Sequence, residues 1–227
     1  VKIEELREAT DYKMPIFIKM GATRPRYDVA IAAKAGADVI VVDGAEGGTG
    51  ASPELLLDHT GIPLISSIRA AREALDDCGM SDEVSLVAAG GIRSGTDVAK
   101  CLALGADAVM IGTAGLMALG CNSPRYFDDY AALGTSPGQC HHCHTGLCPV
   151  GVATQDPELE KRVDVAAASE RVARFLTAMT MEVSLLAKAC GKSNVHNLEV
   201  EDLRALSLEA SAFTGVKLAG IDRPYNW

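Results

Sequence analysis

The chain has 227 residues, 48% of them hydrophobic, and a formal net charge of −9. That suits one domain, or one and a half, around a sizeable core. The acidic balance without a basic stripe excludes a nucleic-acid partner, whose phosphates require clustered Lys and Arg. No apolar run approaches the roughly 20 residues of a membrane span and no charged leader precedes an apolar block, so a soluble cytoplasmic chain with no membrane partner is expected.

Residues 1–13 are charged and read as the end of a helix or a linker, and a chain opening on Val1 rather than Met is expected to be a processed or excised piece. Residues 15–20 form a short buried strand that contains Lys19. An ammonium is costly to bury without a partner, so Lys19 is expected to point into a site. The plainer alternative is a lysine snorkelling out at a strand end. Residues 28–35 have helical spacing and residues 38–43 are the next strand. Residues 44–53 follow, with four glycines, one acid and two hydroxyls. So bare a loop either moves or lets a flat ligand lie against its backbone. Residues 63–67 read equally as a thin strand or as the lead-in to a helix over 69–77, so four or five strands precede Gly115.

The strongest pattern is residues 85–115: a strand at 85–89, Gly90-Gly91, a helix opened by Ser94-Gly-Thr-Asp97, a strand at 108–111, then Gly112-Thr113. It is a βα unit leading into the next strand, with glycines where each strand gives way to its loop. Bare backbone N–H groups at two adjacent strand ends can hold one phosphate between them. Glycine used only for tight turns is the alternative. Gly36-Ala-Asp38 leads into one strand as Gly105-Ala-Asp107 leads into another, a weak internal repeat of βα units. A closed (β/α)8 barrel needs eight strands and typically ~250 residues, so the expectation is half a barrel. Its open edges must pair with another chain, a second copy or the rest of a longer protein.

From Cys121 the character changes. Residues 122–139 read as irregular and lead into Cys140-His-His-Cys143-His-Thr-Gly-Leu-Cys148-Pro149. Residues 156–191 read as one or two helices, with Val172, Phe175, Leu176, Met179, Val183, Leu185 and Leu186 as core packing. Residues 199–206 are a short helix, and a tail over 214–227 holds the one tryptophan. The cysteines number seven, an odd count, and four fall between 121 and 148. This suits metal or cluster ligation in a reducing compartment better than a disulfide framework. Cys140, Cys143 and Cys148 are close enough to share one centre, and a proline after the last thiolate is common in iron–sulfur proteins. Zinc is the rival, with His141, His142 or His144 as nitrogen ligand.

Taken together, Gly47-Gly-Thr-Gly-Ala-Ser-Pro53, Gly90-Gly91, Gly112-Thr113, Ala118-Leu-Gly-Cys121 and Cys148-Pro-Val-Gly-Val-Ala-Thr-Gln155 resemble the FMN-binding domain of the glutamate synthase large subunit, in order and approximate spacing over residues 15–206. The resemblance implies an α/β fold: the C-terminal half of an FMN-binding (β/α)8 TIM barrel over 1–120, an iron–sulfur loop over 121–155 and helices over 156–227. It implies that Lys19 is catalytic and sits by the flavin N1 and C2 carbonyl. Gly90, Gly91, Gly112 and Thr113 would grip the FMN phosphate, and Gly47, Gly48 and Thr49 would lie beside the flavin and a 2-oxoglutarate pocket. Cys121, Cys143 and Cys148 match the three cysteines of the family's [3Fe–4S] cluster. The departures are an insertion after Cys121, the additional thiol Cys140, which leaves a [4Fe–4S] cluster open, and Ala89 where the family often has an acid.

The implied activity is an oxidoreductase acting on CH–NH2 donors, reducing 2-iminoglutarate, made from 2-oxoglutarate and ammonia, to glutamate. The implied partners are an N-terminal half barrel, a glutaminase (amidotransferase) subunit, and ferredoxin or an NAD(P)H-oxidising subunit. An N-methylglutamate synthase-type subunit using methylamine and a non-catalytic electron-transfer or assembly module are the alternatives.

Overall fold

The computed structural model describes residues 2–48 and 52–221, with Glu54 described by its backbone alone. In chain order the elements are α1 (Lys2–Ala9), β1 (Phe17–Gly21), α2 (Pro25–Lys34), β2 (Val39–Asp43), α3 (Glu54–His59), α4 (Leu64–Cys78), β3 (Ser85–Ala89), α5 (Gly95–Ala103), β4 (Ala108–Met110), α6 (Thr113–Leu119), α7 (Phe127–Ala132), α8 (Pro157–Glu160), α9 (Val165–Ala189) and α10 (Leu208–Thr214). They fall into two compact units, one of residues 1–47, 60–110 and 181–227 and the other of residues 48–59 and 111–180. No helix among the described residues is long and apolar enough to cross a membrane.

The first unit is built on a parallel sheet in the order β1-β2-β3-β4. Each strand pairs with the one that follows it in sequence, which is the winding of a (β/α) barrel and not of a doubly wound sheet, where the order reverses. Side chains alternate along a strand, so register partners share a face. Ile18, Ile40 and Leu86 share one face with Met20, Val42, Ala88 and Val109. Ile40, Val42, Leu86 and Ala88 there are buried, and α2 and α4 pack on each other beside the sheet. The opposite face carries Lys19, Val41, Val87 and Ala108, then Gly21, Asp43, Ala89 and Met110 at the C-terminal end. The flanking strands β1 and β4 leave Phe17 and Met110 exposed.

Residues 63–67 are helix. Leu64, Ser67, Ile68, Ala71, Ala74 and Leu75 are buried at three- and four-residue spacing, and Pro63 stands at the N-cap, where its missing N–H costs nothing. The strand count is therefore four.

The weak internal repeat has a physical cause. Asp38 Oδ2 accepts the backbone N–H of Ile16 at 2.6 Å and Arg7 Nη2 at 2.9 Å, while the same Nη2 donates to the Gly36 carbonyl at 2.6 Å. Asp107 Oδ2 accepts Leu86 N–H at 2.7 Å and Arg72 Nη2 at 2.8 Å, while Arg72 Nε donates to the Gly105 carbonyl at 2.7 Å. Each Gly-Ala-Asp thus fastens the N-terminal end of the preceding strand to a helix arginine, from α1 in one case and α4 in the other. Backbone groups left without ladder partners at the sheet's lower end are satisfied in this way.

In the second unit, residues 122–139 are more ordered than their glycines and prolines suggest. Ser123 Oγ accepts Arg125 N–H at 3.4 Å, a 3-10 turn over Pro124–Tyr126 follows, and α7 buries Tyr130. Asp156 caps α8 by accepting the N–H groups of Glu158 and Leu159 at 2.8 and 3.2 Å. Along α9, Met179 and Val183 are buried as expected, but Leu176 is 44% and Leu185 69% exposed, so the apolar stripe is narrower than its hydrophobic residues imply. Within the first unit Val183 and Ala187 pack against Ala99, Leu102, Ala103 and Leu198. Residues 199–206 form only a 3-10 turn over Val200–Asp202, with Glu199 N–H donating to Asp202 Oδ2 at 3.0 Å.

Candidate functional site

Lys19 is the middle residue of β1, half exposed, and its Nζ reaches 2.9 Å from Asp43 Oδ2 at the C-terminal end of β2. Asp43 is the last residue of β2, on the same face as Lys19, and its register partners are Gly21 and Ala89. β1 has no buried residue, so the expected buried strand is not found and the half-exposed ammonium needs no partner to offset burial; it nevertheless has one, an aspartate that the sequence pattern did not single out. Ala89 lacks the acid of the family pattern, and a carboxylate stands at the same level one strand away.

The loop after β2 is shaped around that carboxylate. A Cβ on Gly47 would lie 1.9 Å from Asp43 Oδ1, so only glycine lets the backbone pass there. Gly90 and Gly91 have φ of +105° and +68°, the left-handed region that favours glycine. A Cβ on Gly90 would sit 3.0 Å from the Gly44 nitrogen, and one on Gly91 2.8 Å from Glu46 Cβ. Glu46 Oε2 in turn accepts the Leu64 N–H at 3.0 Å, tying this loop to the start of α4. Lys19, Asp43, Glu46, Gly47, Gly90 and Gly91 thus belong to one set of strand-end residues in the first unit.

The N-terminus of α5 is already occupied by protein oxygens. Asp97 Oδ2 accepts Arg93 and Ser94 N–H at 3.0 and 3.2 Å, Ser94 Oγ accepts Asp97 N–H at 3.4 Å, and Glu182 Oε2 accepts Gly95 N–H at 2.7 Å. The capping box expected from Ser94-Gly-Thr-Asp97 is present.

Gly48, Gly112, Thr113 and the four clustered cysteines belong to the second unit. Thr49 lies outside the described residues. A Cβ on Gly48 would meet Leu57 Cδ2 at 2.6 Å, whereas Gly112, just before α6, has nothing of the protein within 4 Å of its Cβ position. Packing explains the first glycine and leaves the second with open space beside its backbone.

Cys148, Tyr130 and Val150 form a small core, against which Cys121 and Cys140 pack. The Tyr130 hydroxyl donates to the Cys121 carbonyl. Burial, followed by the neighbouring thiols of Cys143, Cys148 and Cys140, pushes the Cys121 thiol up. Burial and then Cys148 and Cys140 do the same to Cys143. The Tyr130 phenol is pushed up to about 12, by burial first and then by Cys140, Cys121 and Cys148. All four thiols are thus electrostatic neighbours, and none is in a disulfide. Among the described residues no three His, Cys, Asp or Glu side chains are arranged to hold a metal ion.

The imidazoles divide. His141 and His142 stack at 4.7 Å between ring centroids. His142 Nε2 lies 3.2 Å from the Leu133 carbonyl oxygen, while its Nδ1 is buried without a hydrogen-bond partner. Buried polar atoms are rarely left so, and four neighbouring thiols with an orphaned ring nitrogen make a donor set suited to iron–sulfur or zinc chemistry. Arg162 fixes the loop: Nη1 donates to the Pro149 carbonyl at 2.7 Å and stands 3.1 Å from Asp129 Oδ2, and the guanidinium lies 4.9 Å from the Tyr126 ring centroid.

Four parallel strands wound in sequence define a protein of the parallel (β/α) barrel class. Among solved structures, a double-mutant flavocytochrome b2 with pyruvate bound is similar with a TM-score of 0.54 and 22% identity, over 87% of this chain and 36% of that one. The conserved region of glutamate synthase matches residues 1–193, and the chain belongs to the glutamate synthase family. It is 54% identical over 220 residues to a glutamate synthase large subunit-like protein of Rhizobium meliloti (strain 1021), covering 97% of this chain and 50% of the relative. It is 40% identical over 223 residues to the archaeal glutamate synthase [NADPH] of Methanocaldococcus jannaschii, covering 96% of this chain and 41% of the relative. The chain thus spans half or less of the length of these curated relatives.

Proposed function

We propose that this chain is the flavin and iron–sulfur part of a glutamate synthase, forming glutamate from 2-oxoglutarate and ammonia. Family membership sets the reaction class. The observation that carries the reading is the Lys19 ammonium, half exposed on β1 and reaching Asp43 at the C-terminal end of β2, the end where barrel enzymes keep their chemistry. FMN, when bound, supplies hydride to the imine carbon, and an iron–sulfur centre supplies the electrons that renew it.

The protein's own part is position and charge. Lys19 holds a cation where a planar ligand gains negative charge. Gly90 and Gly91, with Gly112 and Thr113, offer backbone N–H groups to a phosphate, and the open side of Gly112 suits that role. Gly47 and Gly48 leave the backbone bare, and with Thr49 would lie beside the ring and the dicarboxylate. Cys121, Cys143 and Cys148 hold the cluster, with Cys140 beside them. The proline that follows Cys148 is common where thiolates hold an iron–sulfur cluster.

The remaining half barrel, a glutaminase subunit and ferredoxin or an NAD(P)H-oxidising subunit complete the enzyme in the cytoplasm. The test is glutamate formation by the assembled complex from 2-oxoglutarate with ammonia and a reduced donor. Turnover with ammonia supports the reading. Turnover with methylamine in its place reassigns the nitrogen substrate, and none with either leaves an electron-transfer role.

A further inference from the structure

We propose that Asp43 is the positioning residue of Lys19, setting where the ammonium stands and how much of its charge reaches a ligand at the strand ends. The inference rests on the flavin reading above and deepens it. The two side chains stand on one face of the sheet on adjacent strands, with Lys19 Nζ 2.9 Å from Asp43 Oδ2. They are unequal partners. The lysine side chain is 50% exposed on a flexible stem, whereas Asp43 is 22% exposed.

The second carboxylate oxygen faces the loop backbone. A Cβ on Gly47 would lie 1.9 Å from Oδ1 and one on Gly90 3.1 Å from it. Asp43, shorter and less exposed, is the member that sets the place of the pair, and the bareness of Gly47 is what leaves it room. With Ala89 and Gly21 as its register partners, no other acid shares its level on the neighbouring strands. As a unit the pair is neutral, so the field at the strand ends depends on both members.

The experiment uses the whole native protein, isolated with its cofactors, as wild type, Asp43→Asn, Lys19→Met and the double variant. Asp43→Asn frees a positive charge and is expected to favour flavin reduction about tenfold, a rise of roughly 30 mV for a two-electron couple. Lys19→Met shifts the midpoint the other way, and the double variant returns towards wild type. Midpoints unchanged by Asp43→Asn, with the double variant matching Lys19→Met, overturn the proposal.

A second readout is independent of the flavin: acylation of the Lys19 amine by an amine reagent, followed by peptide mass spectrometry. Labelling is expected to be several-fold faster in Asp43→Asn, and equal rates overturn the coupling. Wild-type protein without flavin overturns the functional reading instead, and the labelling result then decides the pair by itself.

Discussion

Replacing Asp107 by alanine tests whether the Gly-Ala-Asp repeat holds the sheet together. Leu86 is completely buried, and its N–H donates to Asp107 Oδ2 at 2.7 Å. Asp107→Ala leaves that donor inside the sheet unpaired, at about 1–3 kcal/mol. The Arg72 ion pair at 2.8 Å has an Asp107 side chain 47% exposed and adds at most about 1 kcal/mol. Arg72 keeps the Gly105 carbonyl at 2.7 Å, which limits the loss. The expected destabilisation is about 1–4 kcal/mol, a sizeable part of the roughly 5–15 kcal/mol that holds a domain folded. Asp107→Asn retains an acceptor oxygen and is expected to cost about 1 kcal/mol. Urea denaturation gives the difference, and hydrogen exchange at the Leu86 amide locates it. An alanine variant within 0.5 kcal/mol of wild type (roughly the range of neutral surface substitutions), or unchanged protection at Leu86, refutes the reasoning.

Asp38, at the matching place before β2, is held below the usual carboxylate range by the Ile16 N–H and also by Arg7, against the opposing effect of burial. A depressed pKa gives stability that is full above the unfolded value near 3.9 and lost as pH falls through the folded value. Asp38→Asn should therefore be less stable than wild type at pH 7 and converge with it in acid; a constant gap across that range contradicts this. Gly91→Asp puts a side chain at φ +68° against Glu46 and a negative charge beside the proposed phosphate, so the purified variant should carry no FMN; stoichiometric FMN would move the site elsewhere. Cys121→Ser should lose the iron, counted per chain, whereas full metal in Cys121→Ser with loss in Cys140→Ser would favour a compact zinc site.

What could be read from residues alone was what repeats or is capped locally. The strand at 85–89, the Ser94–Asp97 box and the two Gly-Ala-Asp segments carry their partners within one βα unit, or announce them by repetition. Residues 63–67 were ambiguous because a short apolar run has no period; burial at Leu64, Ser67 and Ile68 decides for helix. The order in residues 122–139 was hidden because Tyr130 is held by cysteines on either side of it in sequence, a tertiary cause. Lys19 was legible as a charge out of place in a strand, but Asp43 was not, since an acid closing a strand before glycines looks like a turn residue. Glu46 and Arg162 were likewise hidden, their bonds being to backbone atoms 18 and 13 residues away.

The most direct test of the central claim is the absorption spectrum and iron content of the native protein purified without air. Flavin bands near roughly 450 nm over a broad iron–sulfur shoulder are expected, with about three or four irons per chain. A colourless protein containing zinc would contradict it.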